Sequence, residues 1–419
     1  MHQCLVPDIS RNEPFFIEHR DTTAPEGLVF VHASDSKPLS TPWQVSSYRG
    51  RQLSTYALPD GYILDCASGS GIQLAALGHH LQRKTLGIEL DSNRALATAE
   101  NINRTINYFS QHTPRWLEEC KIVVADSTTP NLYQSIMGAD NEGIALLYLD
   151  PARPRNSRTH SLEEMQPPLG EVLGAWKPYL NTFDEWPALC LDLSPRLVEK
   201  QRMDVELLVR NVFPNIPMTW EWSSRGGART DRLMLWVGCV ASKHHSNRFV
   251  RYPPTAEDPV IYSGNVGSST IETSFVSPQR GGCLTVVDPA FVESGLVQQW
   301  VDDLSLGEHV WVESEGRRPF FVHKNPLSFS VKNEELLIQC TGRVVDIIRG
   351  ILDGESVQEM IKLAIMHRFS ALTLRCSLPP DVHPVVQGTI QRQLKSRGGV
   401  FSGFVVKHPS EEVFYLCKE

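Results

Sequence analysis

The sequence predicts an α/β chain: a doubly wound, mostly parallel sheet followed by a smaller C-terminal α+β domain. Three observations carry that expectation. Between residues 59 and 240, short apolar runs alternate with helical patterns, as parallel strands joined by crossover helices require. The first three of those runs end in or beside an acid. Near residue 241 the composition shifts to Ser, Pro, Gly and His, and mixed helix and strand periodicity resumes near residue 283. A chain of 419 residues exceeds what one core comfortably fills. The expected division is a leader (1–58), the doubly wound domain (59–240), a linker or irregular hairpin (241–282) and the α+β domain (283–419).

The strand candidates are "YILDC", "KTLGIEL", "CKIVVAD", "IALLYLD", "PALCLDL" and "RLMLWVGCV". Each is a short apolar run, as expected for strands buried on both faces. Helical patterns such as "SNRALATAENINRTINYF" lie between them. In the last region, "PAFVESGLVQQWVDDL" and "ESVQEMIKLAI" read as amphipathic helices. "PFFVHK", "ALTLRCSL" and "VFYLCKE" read there as strands.

Composition narrows the function classes. A hydrophobic fraction of 41% and a charged fraction of 21% are ordinary for a globular protein. The formal charge of −8 gives no global basic field, so any nucleic acid must be held by local patches. Nine scattered cysteines, without a CxxC, argue against a zinc ribbon and a secreted disulfide framework. No metal ligands are nominated. The opening "MHQCLVPDISRNEP" lacks the basic stretch and apolar core of a secretion signal. No run reaches the length of a bilayer-spanning helix, and a reducing cytoplasm is the expected compartment.

The chemistry starts at "YILDCASGSGIQLAALG". Asp65 ends a strand, and Gly69 and Gly71 sit in the turn before the next helix. Glycine permits positive φ and close ligand approach, and the helix start presents amides and a positive dipole end. Such a turn alone is a weak signal and also fits a plain packing turn. The second strand adds Glu89, about twenty residues on, where an acid can accept both ribose hydroxyls of a nucleoside. Asp91, opening "DSNRA", is the expected cap of the following helix. The third strand ends in Asp126. A dinucleotide fingerprint would carry a third glycine where Leu74 stands. Asp65 would repel a pyrophosphate and suits a cationic amino acid moiety. S-adenosylmethionine is therefore favoured over NAD.

Asp150, Pro151, Ala152 and Arg153 end the fourth strand, where a doubly wound sheet places the reacting end of a ligand. Arg155 and Arg158 follow, and Arg225, Arg229 and Arg232 flank "GGA" before the last strand. These arginines read either as phosphate contacts or as a solvated rim. Cys190, inside "WPALCLDL", reads as a packing residue rather than a nucleophile.

The segments "ILDCASGSGIQ", "GIELDSNRALATAENI", "LYLDPARP", "LDLSPRL" and "GGARTDRLMLWVG" resemble the class I S-adenosylmethionine-dependent methyltransferases. With "VVDPAFVESGLVQQWVDDL" and "TGRVVDIIRGILDGESVQEMIK", the chain resembles members with a C-terminal THUMP-like domain. The upstream "STPWQVSSYRGRQL" resembles that family's approach to the first strand, so the likeness spans about residue 40 onward. The resemblance implies a seven-stranded Rossmann-like methyltransferase sheet. It implies that Asp65, Gly69 and Gly71 form the cofactor loop, with Glu89 on the ribose and Asp126 near the adenine. Asp150, Pro151 and Arg153 would line the transfer site, and Arg155, Arg158, Arg225 and Arg229 would hold the substrate. The implied acceptor is RNA, tRNA or rRNA, with a protein or small molecule, or a non-catalytic RNA-binding role, as alternatives.

Overall fold

A computed structural model describes residues 3–5, 16–33, 40–110, 112, 114–138, 142–153, 161–255, 258–266, 271–312, 318–376 and 378–419. The chain divides into two compact units. One comprises Met1–Glu221, Arg232–Ser246 and Pro254–Asp258; the other comprises Trp222–Asp231, Asn247–Pro253 and Pro259–Glu419.

The first unit begins with β1 (Gln3–Leu5), β2 (Ile17–His19), β3 (Phe30–His32) and α1 (Trp43–Leu53). The alternation then runs β4 (Tyr62–Asp65), α2 (Ile72–Leu81), β5 (Thr85–Glu89), α3 (Ser92–Phe109), β6 (Lys121–Val124) and α4 (Leu132–Met137). It continues with β7 (Ile144–Leu149), α5 (Leu169–Trp176), β8 (Ala188–Leu193), α6 (Glu199–Val212), β9 (Met218–Ser224) and β10 (Arg232–Gly238). Every residue of β4, β5, β7 and β8 is buried, which explains their unbroken apolar pattern.

The first unit's strand order is β1-β6-β5-β4-β7-β8-β10-β9, with Trp222–Ser224 of β9 counted in the second unit. The β6-β5-β4-β7-β8 run is parallel. β10 lies antiparallel on β8, and β1 antiparallel on β6. Seven strands, β4 to β10, thus form the expected doubly wound sheet, and β1 extends its edge. The sequence reading lists only six of the seven. "MTWEWSS" carries no apolar run, because Thr219, Glu221, Ser223 and Ser224 are buried polar residues of β9. Their polar groups hide the strand from a hydrophobicity pattern.

On one face of the sheet, Leu53 of α1, Leu74 and Leu77 of α2, and Ala95 and Ile102 of α3 pack with Ile63, Leu146, Cys190 and Trp236. Cys190 is 1% exposed in this core, as a packing residue should be. The stretch read as a leader holds α1, which starts where the Trp43 amide donates to Asp21 Oδ2 at 2.6 Å.

Asp91 caps α3 by accepting from the Asn93 and Arg94 amides at 2.9 and 3.0 Å. Asp91→Ala is expected to lower unfolding free energy by about 1 kcal/mol, measured by chemical denaturation.

The second unit holds the hairpin β11 (Asn247–Arg251) and β12 (Val260–Gly264), paired antiparallel. It then forms β13 (Thr273–Ser274), β14 (Cys283–Val287), α7 (Pro289–Glu293), α8 (Val297–Ser305), β15 (His309–Val312) and β16 (Phe320–His323). β17 (Ile338–Arg349), α9 (Gly354–Met366), β18 (Phe369–Leu374), α10 (Val382–Lys395), β19 (Phe401–Lys407) and β20 (Val413–Lys418) complete it. Its sheet order is β13-β15-β16-β14-β17-β20-β19-β18. The single helix expected over residues 289–304 is two, α7 and α8, broken by Gly295 at φ +73°. Among the described residues, no helix is long and apolar enough to cross a membrane. Nor does any group of three His, Cys, Asp or Glu side chains there form a metal-holding cluster.

Candidate functional site

The carboxyl ends of adjacent parallel strands share one edge of a sheet. That edge gathers Asp65 from β4, Glu89 from β5, Asp126 beyond β6, Asp150 beyond β7 and Asp192 from β8.

The glycine turn is pinned from below. Gly71 has φ +72° and serves as the N-cap of α2. A Cβ there would lie 2.6 Å from Thr98 Cγ2 and 2.7 Å from Thr98 Cα, so α3 crosses directly against it. Gly69 has φ +58°, and its Cβ would meet only the Ala67 carbonyl at 3.8 Å. The turn's carbonyls are held by α3. Thr98 Oγ1 donates to the Gly69 carbonyl at 3.1 Å, and Asn101 Nδ2 to the Ser70 carbonyl at 2.7 Å. Gly71→Ala therefore combines strain with overpacking and should cost about 2–5 kcal/mol of stability. Gly69→Ala carries only the left-handed backbone penalty, about 1–2 kcal/mol. Urea denaturation of the two variants checks the difference.

Most amides of the turn already have partners. Cys66 donates to the Tyr148 carbonyl, Ser68 to the Ile88 carbonyl and Gly71 to the Ser68 carbonyl, at 3.1, 3.0 and 2.7 Å. Ala67 donates to Asp65 Oδ1 at 3.1 Å, and Gly69 to Glu89 Oε2 at 2.8 Å. A pyrophosphate would find few free donors and several carboxylates.

Asp65 is 2% exposed. Burial pushes its carboxyl up to about 8; the Ala67 amide pulls it down, while Asp150 and Glu89 add repulsion. Glu89 is 8% exposed, and its second oxygen accepts from the Asp91 amide at 3.0 Å. Burial raises it too, against the pull of the Asp91 and Gly69 amides. Glu89 thus braces the glycine turn as well as ending its strand. Asp126 is exposed, and its Oδ1 accepts from the Thr128 amide and hydroxyl at 2.9 and 2.7 Å.

Beside these acids lies a buried ionic network. Arg49, 2% exposed in α1, reaches Asp192 Oδ2 at 2.7 Å, the Tyr148 hydroxyl at 3.1 Å and Gln73 Oε1 at 3.2 Å. Tyr148 donates to the same Asp192 oxygen at 3.2 Å. Arg232 Nη1 lies 3.7 Å from Asp192 Oδ2 and 3.4 Å from Asp150 Oδ2. Arg153 Nη2 donates to the Asp192 carbonyl at 3.2 Å. Burial opposes the Asp192 charge, but Arg49, Arg232 and Arg153 hold its carboxyl below the ordinary range. Asp150 shifts the other way, raised by burial and by repulsion from Asp192 despite Arg232, Arg153 and Arg49. Pro151 is buried.

Arg49 and Tyr148 escape the sequence reading. Arg49 lies in a quoted stretch of the resemblance, and Asp192 in another, but neither receives a role from it. The partners stand 143 positions apart, and no local spacing signals them.

Arg155 and Arg158 lie outside the described residues. In the second unit, Arg229 Nε donates to Asp231 Oδ1 at 3.2 Å, and the Arg225 amide to Asp231 Oδ2 at 2.7 Å. The Arg225 and Arg229 side chains are 41% and 61% exposed.

No family model matches the chain, and no curated protein matches it. Solved structures do. A candidate methyltransferase from Porphyromonas gingivalis W83 matches with a TM-score of 0.56 and 14% identity, over 92% of this chain and 82% of that one. A 16S rRNA N2 G1207 methyltransferase of T. thermophilus, solved with AdoMet and guanosine, matches with a TM-score of 0.35 and 12% identity, over 53% and 50%. A Streptococcus mutans protein in complex with SAH matches with a TM-score of 0.29 and 11% identity, over 48% and 98%. At such identities the likeness is one of fold, and the fold of the chain is that of the Rossmann-like methyltransferases.

Proposed function

We propose that the chain binds S-adenosylmethionine and transfers its methyl group to RNA. The observation that carries the cofactor is the pairing of a self-satisfied glycine turn with the buried acid Asp65. The amides of residues 66–69 and 71 are spent within the protein, while the carboxyls of Asp65, Glu89 and Asp150 crowd beside them. Such a site favours a ligand carrying positive charge and disfavours a dinucleotide pyrophosphate. Asp65 would face the amino acid moiety, and Glu89 and Asp126 the nucleoside. When bound, the cofactor supplies a sulfonium-borne methyl group, taken by the acceptor's lone pair as the carbon–sulfur bond breaks.

Asp150 would accept a hydrogen bond from the acceptor group, orienting it or receiving its proton. Its raised affinity for protons suits that task. Pro151 would stiffen the turn, and Arg153 would stack on or bind the target. RNA as the acceptor is supported by exposed Arg225 and Arg229 and by the sequence positions of Arg155 and Arg158. The second unit, with its sequence resemblance to a THUMP-like domain, would supply further RNA contacts. A cytoplasmic location fits this role.

The test is transfer of labelled methyl from S-adenosylmethionine to total RNA and to total protein. Label in RNA that is lost with Asp150→Ala supports the proposal. Label in protein alone would replace the acceptor, and absence of S-adenosylmethionine binding in calorimetry would overturn the cofactor.

A further inference from the structure

A single guanidinium lies within ion-pair distance of two of the strand-end acids. Arg232 Nη1 is 3.4 Å from Asp150 Oδ2 and 3.7 Å from Asp192 Oδ2. Asp192 is 1% exposed, and its Oδ1 has no hydrogen-bond partner among the described residues. A buried carboxylate in that state competes strongly for any cation within reach. Arg49 is the cation nearest to it, on the same Oδ2 that Arg232 faces. Its contact with Asp192 is the shortest in the network, at 2.7 Å, and Tyr148 adds a donor at 3.2 Å.

We propose that Arg49 is a positioning residue of the transfer site: by holding Asp192, it leaves Arg232 free to hold Asp150. The chain of contacts runs Arg49–Asp192–Arg232–Asp150 and brings α1, β8, β10 and the end of β7 together. The proposal rests on the reading of Asp150 as the acid at the acceptor. Without Arg49, Arg232 is the main remaining side-chain cation for Asp192. It is drawn toward that carboxylate, and Asp150 loses its ion pair. Besides Arg232, Asp192 and Arg49, whose charge also lowers the Asp150 carboxyl directly, the groups facing Asp150 are Arg153 on its own loop, Tyr148 on β7 and Asp65 on β4. Of these only Arg153 is cationic, and its Nη2 is already donating to the Asp192 carbonyl.

The experiment is a carbon-13 titration of the full chain with labelled aspartate carboxyls, the Asp150 signal being assigned by its loss in Asp150→Asn. It is read without cofactor, so a failed relay and a failed methyltransferase assignment remain distinct. Arg49→Gln is expected to raise the Asp150 midpoint by about one unit or more, as loss of a close opposite charge does. Arg49→Lys, which keeps the charge, should return it most of the way. An unchanged midpoint in folded Arg49→Gln makes Arg49 a structural plug and overturns the proposal. If Arg49→Gln does not fold, the double variant Arg49→Gln/Asp192→Asn decides, since it leaves no buried unpaired carboxylate. There Arg232 and Arg153 face Asp150 with the Asp192 charge gone, and the midpoint should fall below that of the wild type. A midpoint at or above the wild-type value would overturn the relay.

Discussion

Asp65→Asn is expected to raise the dissociation constant for S-adenosylmethionine by about two to three decades and, at the same time, to stabilise the empty protein. The two effects have one cause. The Asp65 carboxyl is buried, and burial holds its proton on up to about pH 8, against an ordinary value of 3.8. In the empty protein the fold therefore binds a proton that the unfolded chain releases. Stability falls as pH rises through that interval, from about 4 to about 8. Asparagine removes the dependence. A cationic ligand reverses the sign, since it favours the ionised carboxylate and must expel the proton to gain it. Below about pH 8, affinity should rise about tenfold per pH unit and then level off. Loss of a buried charge partner costs about 3–5 kcal/mol, which at about 1.4 kcal/mol per decade gives the expected change. Calorimetry in buffers of different ionisation enthalpy reads both affinity and proton release. Unchanged affinity in Asp65→Asn, or binding without proton release at pH 7, would refute a cationic ligand at Asp65.

The parts of this site that the sequence makes legible are those tied to local punctuation. Asp65, Gly69 and Gly71 fall within seven residues, and the demands on them are local: a strand end, two positive φ angles and a helix start. Glu89 and Asp150 are legible for the same reason, as acids closing apolar runs. The sequence offers no sign that Glu89 also braces the turn through the Gly69 amide, because that bond joins two separate motifs. Arg49 is the sharper case. Its helix precedes the first strand of the alternation, and its partner lies on the fifth strand of that series. Either arginine of "WQVSSYRGRQL" looks like solvent-facing polarity until the fold buries Arg49. β9 is hidden by the reverse effect, a buried strand written in polar letters.

The acceptor side gives the second large effect. Asp150→Ala is expected to lower methyl transfer by about two to four decades, the range that positioned acid–base groups contribute. S-adenosylmethionine affinity should stay near its wild-type value. The fold should survive the change, because Arg232 keeps Asp192 at 3.7 Å and no buried cation is stranded. A secondary consequence separates this outcome from general damage. Asp150 is one of the groups that raises the Asp65 carboxyl, so its removal should lower the proton affinity of Asp65. The pH at which cofactor affinity levels off should then move down, and binding at neutral pH should tighten slightly. A misfolded or loosened site would bind more weakly instead. The measurements are single-turnover transfer to RNA and a calorimetric pH series on the same protein. Full transfer by Asp150→Ala would remove Asp150 from the reaction. Lost transfer with equally lost cofactor binding would make Asp150 part of the cofactor pocket rather than the acceptor's partner.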